Sequence, residues 1–188
     1  DKWGFIWLGT DNGLSRYDGY EVKNYDCVSL GSNQYVSSLL AESDRMLVGT
    51  AKGVFTFDYR KERFVPFLAQ HIRTQPNSFA IDRDGNLWIA TMGQGVFRYN
   101  KNTGHCKQFT FMAQKGNIAQ VFVDMDNQIW TITSWGHPSI CKLNKAKDIF
   151  VPVSFKTKLN DYGGLKMMQG KDGRLWIGTW NNGLLCVE

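Results

Sequence analysis

The sequence predicts an all-β chain of β-propeller blades, each of four antiparallel strands, making a partial propeller of three full blades flanked by two incomplete ones. Three observations predict it. A strand of four residues recurs as Trp7-Leu8-Gly9-Thr10, Leu47-Val48-Gly49-Thr50, Trp88-Ile89-Ala90-Thr91, Trp130-Thr131-Ile132-Thr133 and Trp176-Ile177-Gly178-Thr179, with steps of 40, 41, 42 and 46 residues. A period of this length marks one supersecondary unit repeated, none of which buries its apolar faces alone. Between these anchors lie short β-rich runs and turn residues with no helical periodicity.

Each repeat places its strands in the same order. Before the anchor comes an apolar run and a tight turn: Ser78 to Asp82 then Arg83-Asp84-Gly85-Asn86, Ile118 to Asp124 then Met125-Asp126-Asn127-Gln128, and Leu165 to Gln169 then Gly170-Lys171-Asp172-Gly173. Asp, Asn and Gly tolerate the positive φ of a hairpin turn. After the anchor comes a glycine-bearing loop and a third strand, as in Gly13 to Tyr17, Gly53 to Phe57, Gly95 to Tyr99 and Gly183 to Val187. A fourth follows in Val22 to Tyr25, Phe64 to Phe67, Cys106 to Phe109 and Phe150 to Val153. Pro66 and Pro152 fall in this fourth strand, the outer edge of a blade, where a ladder donor is dispensable.

Two other β architectures compete. A sandwich shows no self-similarity at this period, and the coils of a parallel β-helix are much shorter. The repeats divide the chain at approximately 1–27, 28–69, 70–111, 112–155 and 156–188, read as one propeller fragment. Its first residues, Asp1-Lys2-Trp3-Gly4, occupy a turn before an anchor, and its last form a third strand, so the chain is expected to begin and end inside blades. Open blade edges invite pairing, which leads us to expect further blades of the same protein and a homodimer. Aromatic residues make up 14% of the chain and glycines number 19, which suits rings filling the space between twisted sheets and glycines serving turns. No apolar run approaches the 18 or more residues of a membrane-spanning helix.

The pattern Asp-x-x-Gly-x-Ile/Leu-Trp-Ile/Leu-Gly-Thr-x-x-Gly-Leu-x-Arg-Tyr-Asp, met from Asp1 to Asp18 and more loosely at Asp82 to Asn100 and Lys171 to Val187, resembles the two-component regulator propeller repeat. The resemblance covers essentially the whole chain. It implies the periplasmic sensor region of an inner-membrane-anchored hybrid two-component system, in which the propeller senses glycan breakdown products and signals to a histidine kinase. It supplies no catalytic residue. The second repeat departs from the pattern with Leu47 in place of Trp, and the fourth with Ile132 in place of Gly and the longer loop Ser134 to Ser139.

Chemistry-bearing motifs are few. Asp82-Arg83-Asp84-Gly85-Asn86 opens like a calcium loop, but the position of its bidentate Glu is held by Gly93. Gly93-Gln94-Gly95 opens no helix that would bind phosphate. His71, His105 and His137 stand apart, with no Cys or carboxylate at ligand spacing, so no metal or cofactor is expected. No nucleophile elbow or carboxylate pair stands out, and the segment reads as non-enzymatic. Cys27, Cys106, Cys141 and Cys186 are expected as free, mostly buried thiols, since Cys141 and Cys186 point to different blade faces.

The net charge of +5 arises from 22 Lys and Arg against 17 Asp and Glu. It forms no basic run or stacking module, so nucleic acid is not expected as partner. In a propeller, the loops from strand four to the next strand one share a face with the loops from strand two to strand three. There the sequence places His71, Arg73, Lys115, Lys156, Lys158, Asp161 and Tyr162 from the first set. The second set gives Asp11, Asn12, Lys52, Gln94, Trp135, His137, Trp180, Asn181 and Asn182. Stacking rings, planar amides and cations on one face suit an oligosaccharide ligand, with an acidic one favoured by the lysines and Arg73. The candidate ligand-binding residues are Trp135, His137, Trp180, Asn181, Arg73 and Lys115, with Trp135 foremost because its loop breaks the repeat. The competing class is an enzyme of propeller architecture, such as a polysaccharide lyase or glycosidase, with a protein-interaction scaffold third.

Overall fold

In the computed structural model, residues 1–25, 35–110, 117–133, 140–153, 164–179 and 183–187 are described, the side chains of 164, 165 and 187 excepted. Every element among them is a β-strand: β1 (Ile6–Thr10), β2 (Gly13–Tyr17), β3 (Val22–Tyr25), β4 (Val36–Ala41), β5 (Arg45–Thr50), β6 (Gly53–Asp58), β7 (Arg63–Phe67), β8 (Pro76–Ile81), β9 (Leu87–Thr91), β10 (Val96–Tyr99), β11 (Cys106–Phe109), β12 (Ile118–Val123), β13 (Ile129–Thr133), β14 (Ile140–Asn144), β15 (Ile149–Pro152), β16 (Gly164–Gln169), β17 (Leu175–Thr179) and β18 (Leu184–Val187). They form five antiparallel meanders in chain order, β1–β3, β4–β7, β8–β11, β12–β15 and β16–β18. The chain is therefore all-β, with three complete four-stranded propeller blades and two of three strands. Pro66 and Pro152 lie on β7 and β15, the sheet edges where their missing N–H is harmless.

The chain divides into two compact units, Asp1–Ser78 and Phe79–Glu188. In the first, a core of Leu14, Tyr25, Val36, Met46, Val48, Phe55, Phe57 and Phe64 joins the first two blades, with Trp7 and Tyr59 packed against it. Gly9 is required by this approach, because a side chain there would meet Val36 Cγ1 at 2.7 Å.

The second unit holds two cores. Trp88, Ala90, Val96 and Phe109 of the third blade pack with Ile118, Val121, Ile129 and Leu143 of the fourth. The opposite face of the fourth blade gives Trp130, Ile132 and Ile140 to a core with Met167, Leu175 and Ile177 of the fifth. Successive residues of β13 thus serve different cores, as alternation along a strand dictates. Ile132, the departure from Gly in this repeat, fills the space between its blade and the next. Gln120 fastens the same two blades, accepting from the Met167 amide at 2.5 Å and donating to the Met167 carbonyl at 3.1 Å.

The thiols correct one expectation. Cys141 stands opposite Thr131 and Cys186 opposite Trp176, so their registers differ as expected. Cys141 is buried and burial pushes its thiol up to about 11, but Cys106 is half-buried and Cys186 is exposed. The last two sit on β11 and β18, strands at the edge of their sheets with cover on one side only. All three are free. Cys27 lies outside the described residues.

Candidate functional site

Of the six candidate ligand-binding residues, only Arg73 falls among the described residues. It is exposed, in the connection between β7 and β8. Trp135, His137, Trp180, Asn181 and Lys115 lie outside the described residues, as do Lys156, Lys158, Asp161, Tyr162 and Asn182. Asp11, Asn12, Lys52 and His71 are exposed in the first unit, and in the second the Gln94 carbonyl accepts from the Gln108 amide at 2.8 Å. Two clefts among the described residues lie at the other ends of the strands, among the turns from strand one to two and from three to four.

Those turns share a plan. In three blades an Asp six residues before the anchor Trp accepts from its indole N–H: Asp1 from Trp7 at 2.6 Å, Asp82 from Trp88 at 2.8 Å, and Asp124 from Trp130 at 2.7 Å. The other carboxylate oxygen accepts two backbone amides of the turn, from Trp3 and Phe5, Asp84 and Asn86, and Asp126 and Gln128. The residue three after the Asp position has positive φ: 84° at Gly4, 76° at Gly85, 82° at Gly173 and 59° at Asn127. Only a residue that tolerates the left-handed region fits there, hence Gly or Asn. The fifth blade has Gly170 at the Asp position and Asp172 instead turns to Arg174.

Directly across each such Trp, on the following strand, stands a cation. Arg16 pairs in register with Trp7, Arg98 with Trp88 and Lys142 with Trp130, each 5.2–5.9 Å from the indole centroid. In the second blade, where Leu47 replaces Trp, the residue opposite is Thr56. In the three blades that have both, the guanidinium or ammonium is held by the ring face; in the fifth, Cys186 stands opposite Trp176 and Arg174 lies over the ring instead.

In the first unit these parts line a cavity of about 520 Å³ between the first and second blades, bounded by Trp3, Phe5, Trp7, Arg16, Asp44, Asp58 and Tyr59 among others. Arg16 lies 4.3 Å over the Phe5 ring, and its Nε is buried without a hydrogen-bond partner. The Tyr59 hydroxyl is buried and equally unpartnered. Burial, with Asp44 and Glu42 nearby, pushes it up to about 12, so it is a proton donor at any physiological pH. Trp3, half exposed, meets Tyr59 edge to face at 5.0 Å.

The second unit builds the same place between the third and fourth blades and fills it. Asp148, at the positive-φ position before β15, accepts from Arg98 Nη1 and Nη2 at 3.1 and 3.2 Å and from Lys107 at 2.6 Å. Burial pushes its carboxyl up, but the Lys107 and Arg98 cations outweigh this and hold it below the usual carboxylate range. The Arg83 amide donates to Asn127 at 2.8 Å, and Arg83 Nη2 to the Met125 carbonyl, joining the two turns. The remaining cavity is about 150 Å³.

The groups in the larger cleft are suited to hold a ligand. Arg16 and Tyr59 offer donors in a low-dielectric setting, and Trp3 offers a ring face. Asp58 accepts the Arg60 and Lys61 amides, and those bonds, Lys61 first, hold its carboxyl below the usual range. A carboxylate so committed is a poor general acid. No group of three or more His, Cys, Asp or Glu side chains is placed to share a metal among the described residues.

The Two component regulator propeller family profile matches residues 72–93 and 165–181. The chain is similar to the extracellular domain of a protein from B. thetaiotaomicron described as a hybrid two component system, with TM-score 0.79 and 22% identity over 95% of this chain and 24% of that one. A second such extracellular domain from the same organism gives TM-score 0.76 and 21% identity over 98% of this chain and 25% of that one. The chain thus spans about a quarter of the length of these structures. Virginiamycin B lyase from Staphylococcus aureus shares the fold at TM-score 0.72 and 15% identity, over 100% of this chain and 67% of the enzyme. No curated protein sequence matches the chain.

Proposed function

We propose that the chain is part of the ligand-sensing extracytoplasmic propeller of a hybrid two-component signalling protein, which binds glycan fragments and relays the signal to a histidine kinase. The observation that carries this reading is the coincidence of regulator-propeller repeats with the fold of two extracellular domains described as parts of such systems. Sensing requires a ligand to prefer one receptor state over another, and needs no acid and base in place. Committed carboxylates and unpaired donors in the cleft support binding without turnover. On this reading the protein is periplasmic and anchored in the inner membrane, acts as a homodimer, and the segment is not an enzyme. Trp135, His137, Trp180, Asn181, Arg73 and Lys115 are the proposed contacts for an oligosaccharide, an acidic one favoured by the cations.

The test is calorimetric titration of the complete extracytoplasmic region with neutral and acidic glycan fragments, repeated with Trp135→Ala. Saturable heat without turnover is expected, weakened in the variant. Absence of heat with every fragment overturns the sensor reading, and unchanged affinity in the variant overturns only the contact assignment. Turnover of a fragment would favour the second reading, an enzyme, which the likeness to virginiamycin B lyase keeps in play.

A further inference from the structure

We propose that the cleft beside Arg16 is a binding site for a carboxylate carried on a ring, its oxygens on Arg16 Nε and the Tyr59 hydroxyl and its ring against Trp3. The inference stands on a comparison inside the chain and does not rest on the sensor reading. Where the third and fourth blades meet, the arginine across from the anchor Trp receives its carboxylate from Asp148. At the matching place between the first and second blades the counterpart acid is Glu62, also at positive φ. Glu62 is taken instead by Lys23, at 2.8 and 2.7 Å, and by the Tyr25 hydroxyl at 3.3 Å. Arg16 is left with a buried N–H that has no acceptor.

Two further differences make room for a visitor. The turn between β4 and β5 holds only Ser43 and Asp44 between its paired ends, Glu42 and Arg45, whereas Met125, Asp126 and Asn127 separate Asp124 and Gln128. The first unit therefore has no residue in place of Asn127 to join the neighbouring turn. Tyr59 stands where Lys145 stands in the other cleft, and its hydroxyl is buried and unpartnered. A buried donor without an acceptor is costly, and the two residues that carry one here both line a single cavity of about 520 Å³, which defines what would relieve them. An acceptor that satisfies both is a carboxylate, the group that Asp148 supplies to Arg98.

The wall chemistry narrows the ligand. Lys2, Arg16 and Arg60 are balanced there by Asp1, Asp44 and Asp58, so the lining carries no net excess of cations. A singly charged carboxylate is accommodated, while a doubly charged phosphate meets three carboxylates. The half-exposed Trp3 indole selects for a flat or apolar ring face beside the acid. Sugar acids and aromatic acids share this chemistry.

Calorimetry of the complete extracytoplasmic region with galacturonate and with phenylacetate, each beside its methyl ester, tests the proposal and separates the two sources. At least one acid is expected to bind, its ester at least about tenfold more weakly, since charge-assisted hydrogen bonds are lost. Arg16→Gln should weaken binding about tenfold or more. Tyr59→Phe, which keeps the ring, should weaken it several-fold while raising the melting temperature of the unliganded protein, an effect that a merely structural hydroxyl would not give. Failure of both acids to bind at millimolar concentration overturns the site, as does equal binding of acid and ester. Binding indifferent to Arg16→Gln and Tyr59→Phe but lost in Trp135→Ala overturns this site while supporting the sensor reading.

Discussion

The two clefts built around Arg16 and Arg98 start from nearly the same sequence and end differently. Gly13-Leu14-Ser15-Arg16-Tyr17 and Gly95-Val96-Phe97-Arg98-Tyr99 place an arginine across from a Trp whose indole N–H is held by an Asp. One guanidinium is then held through both terminal nitrogens by a downstream carboxylate and the other keeps an unmet donor. A propeller repeat fixes where a cation stands. What the cation meets is decided by the next repeat, through the length of one turn and the side chains of another.

The largest effect expected from breaking this symmetry is at the shared Asp. Asp82 is 8% exposed and accepts the Trp88 indole, two turn amides and the Asn86 side chain. Asp82→Ala should cost about 3 kcal/mol in urea unfolding, by stranding several buried donors at once. Asp1→Ala, in the more open cleft, should cost about half that. Equal losses would show that the two clefts are equivalent after all.

Next comes the ion pair itself. Asp148→Ala should cost about 1 kcal/mol, a figure already reduced for solvent screening because Asp148 and Arg98 are each about a third exposed. The pH dependence follows from the sign of its shift. A carboxyl held below its unfolded value contributes stability that is complete above the unfolded pKa of about 3.9 and is lost as pH falls through the folded one. The wild-type advantage over Asp148→Ala should therefore be flat near neutrality and shrink below about pH 4. An advantage that grew on acidification would refute the assignment.

Tyr59→Phe is expected to act in the opposite direction. Removing a hydroxyl that is buried and unpaired should stabilise the ligand-free protein by about 1 kcal/mol, read as a raised denaturant midpoint. A lowered midpoint would mean that the hydroxyl has a partner. Smallest of all is Glu62→Ala, worth about 0.5 kcal/mol or less, because Lys23 and Glu62 are 49% and 39% exposed. If it matched Asp148→Ala in cost, the contrast between the clefts would collapse.

Strand order and strand edges were legible in the sequence because their signals are local. Alternation, the recurrent Trp and the turn glycines each act within a few residues, so β9 through β11 fall within two residues of their expected places. The departure at Leu47 was visible as well, though its partner change to Thr56 across the ladder emerges only from register. The cleft was not legible. Arg16 and Arg98 look alike in sequence, and their difference resides 43–50 residues downstream in Tyr59, Glu62, Lys145 and Asp148, and in a turn one residue shorter. The Asp-to-Trp spacing of six was a signal available in the composite repeat, waiting on the geometry that makes it a hydrogen bond. The loop face chosen for its cations and rings directs attention to the opposite strand ends, and Arg73 alone of its six residues is described there.

The sharing of β13 between two cores bears on how the second unit opens. Ile129 belongs to the core with the third blade, and Trp130 and Ile132 to the core with the fifth. No fluctuation can free this strand by peeling away one neighbour, since its other face remains held. Its backbone amides should exchange with deuterium only when the whole unit unfolds, at the slowest rate in residues 79–188. On β15, at the edge of the same sheet, Ile149 is 48% exposed and, among the described residues, no further strand of the sheet pairs with its outer side, so a local opening suffices. A gradient of protection from β13 outward to β15, within one sheet of four strands, is the dynamic counterpart of the burial pattern.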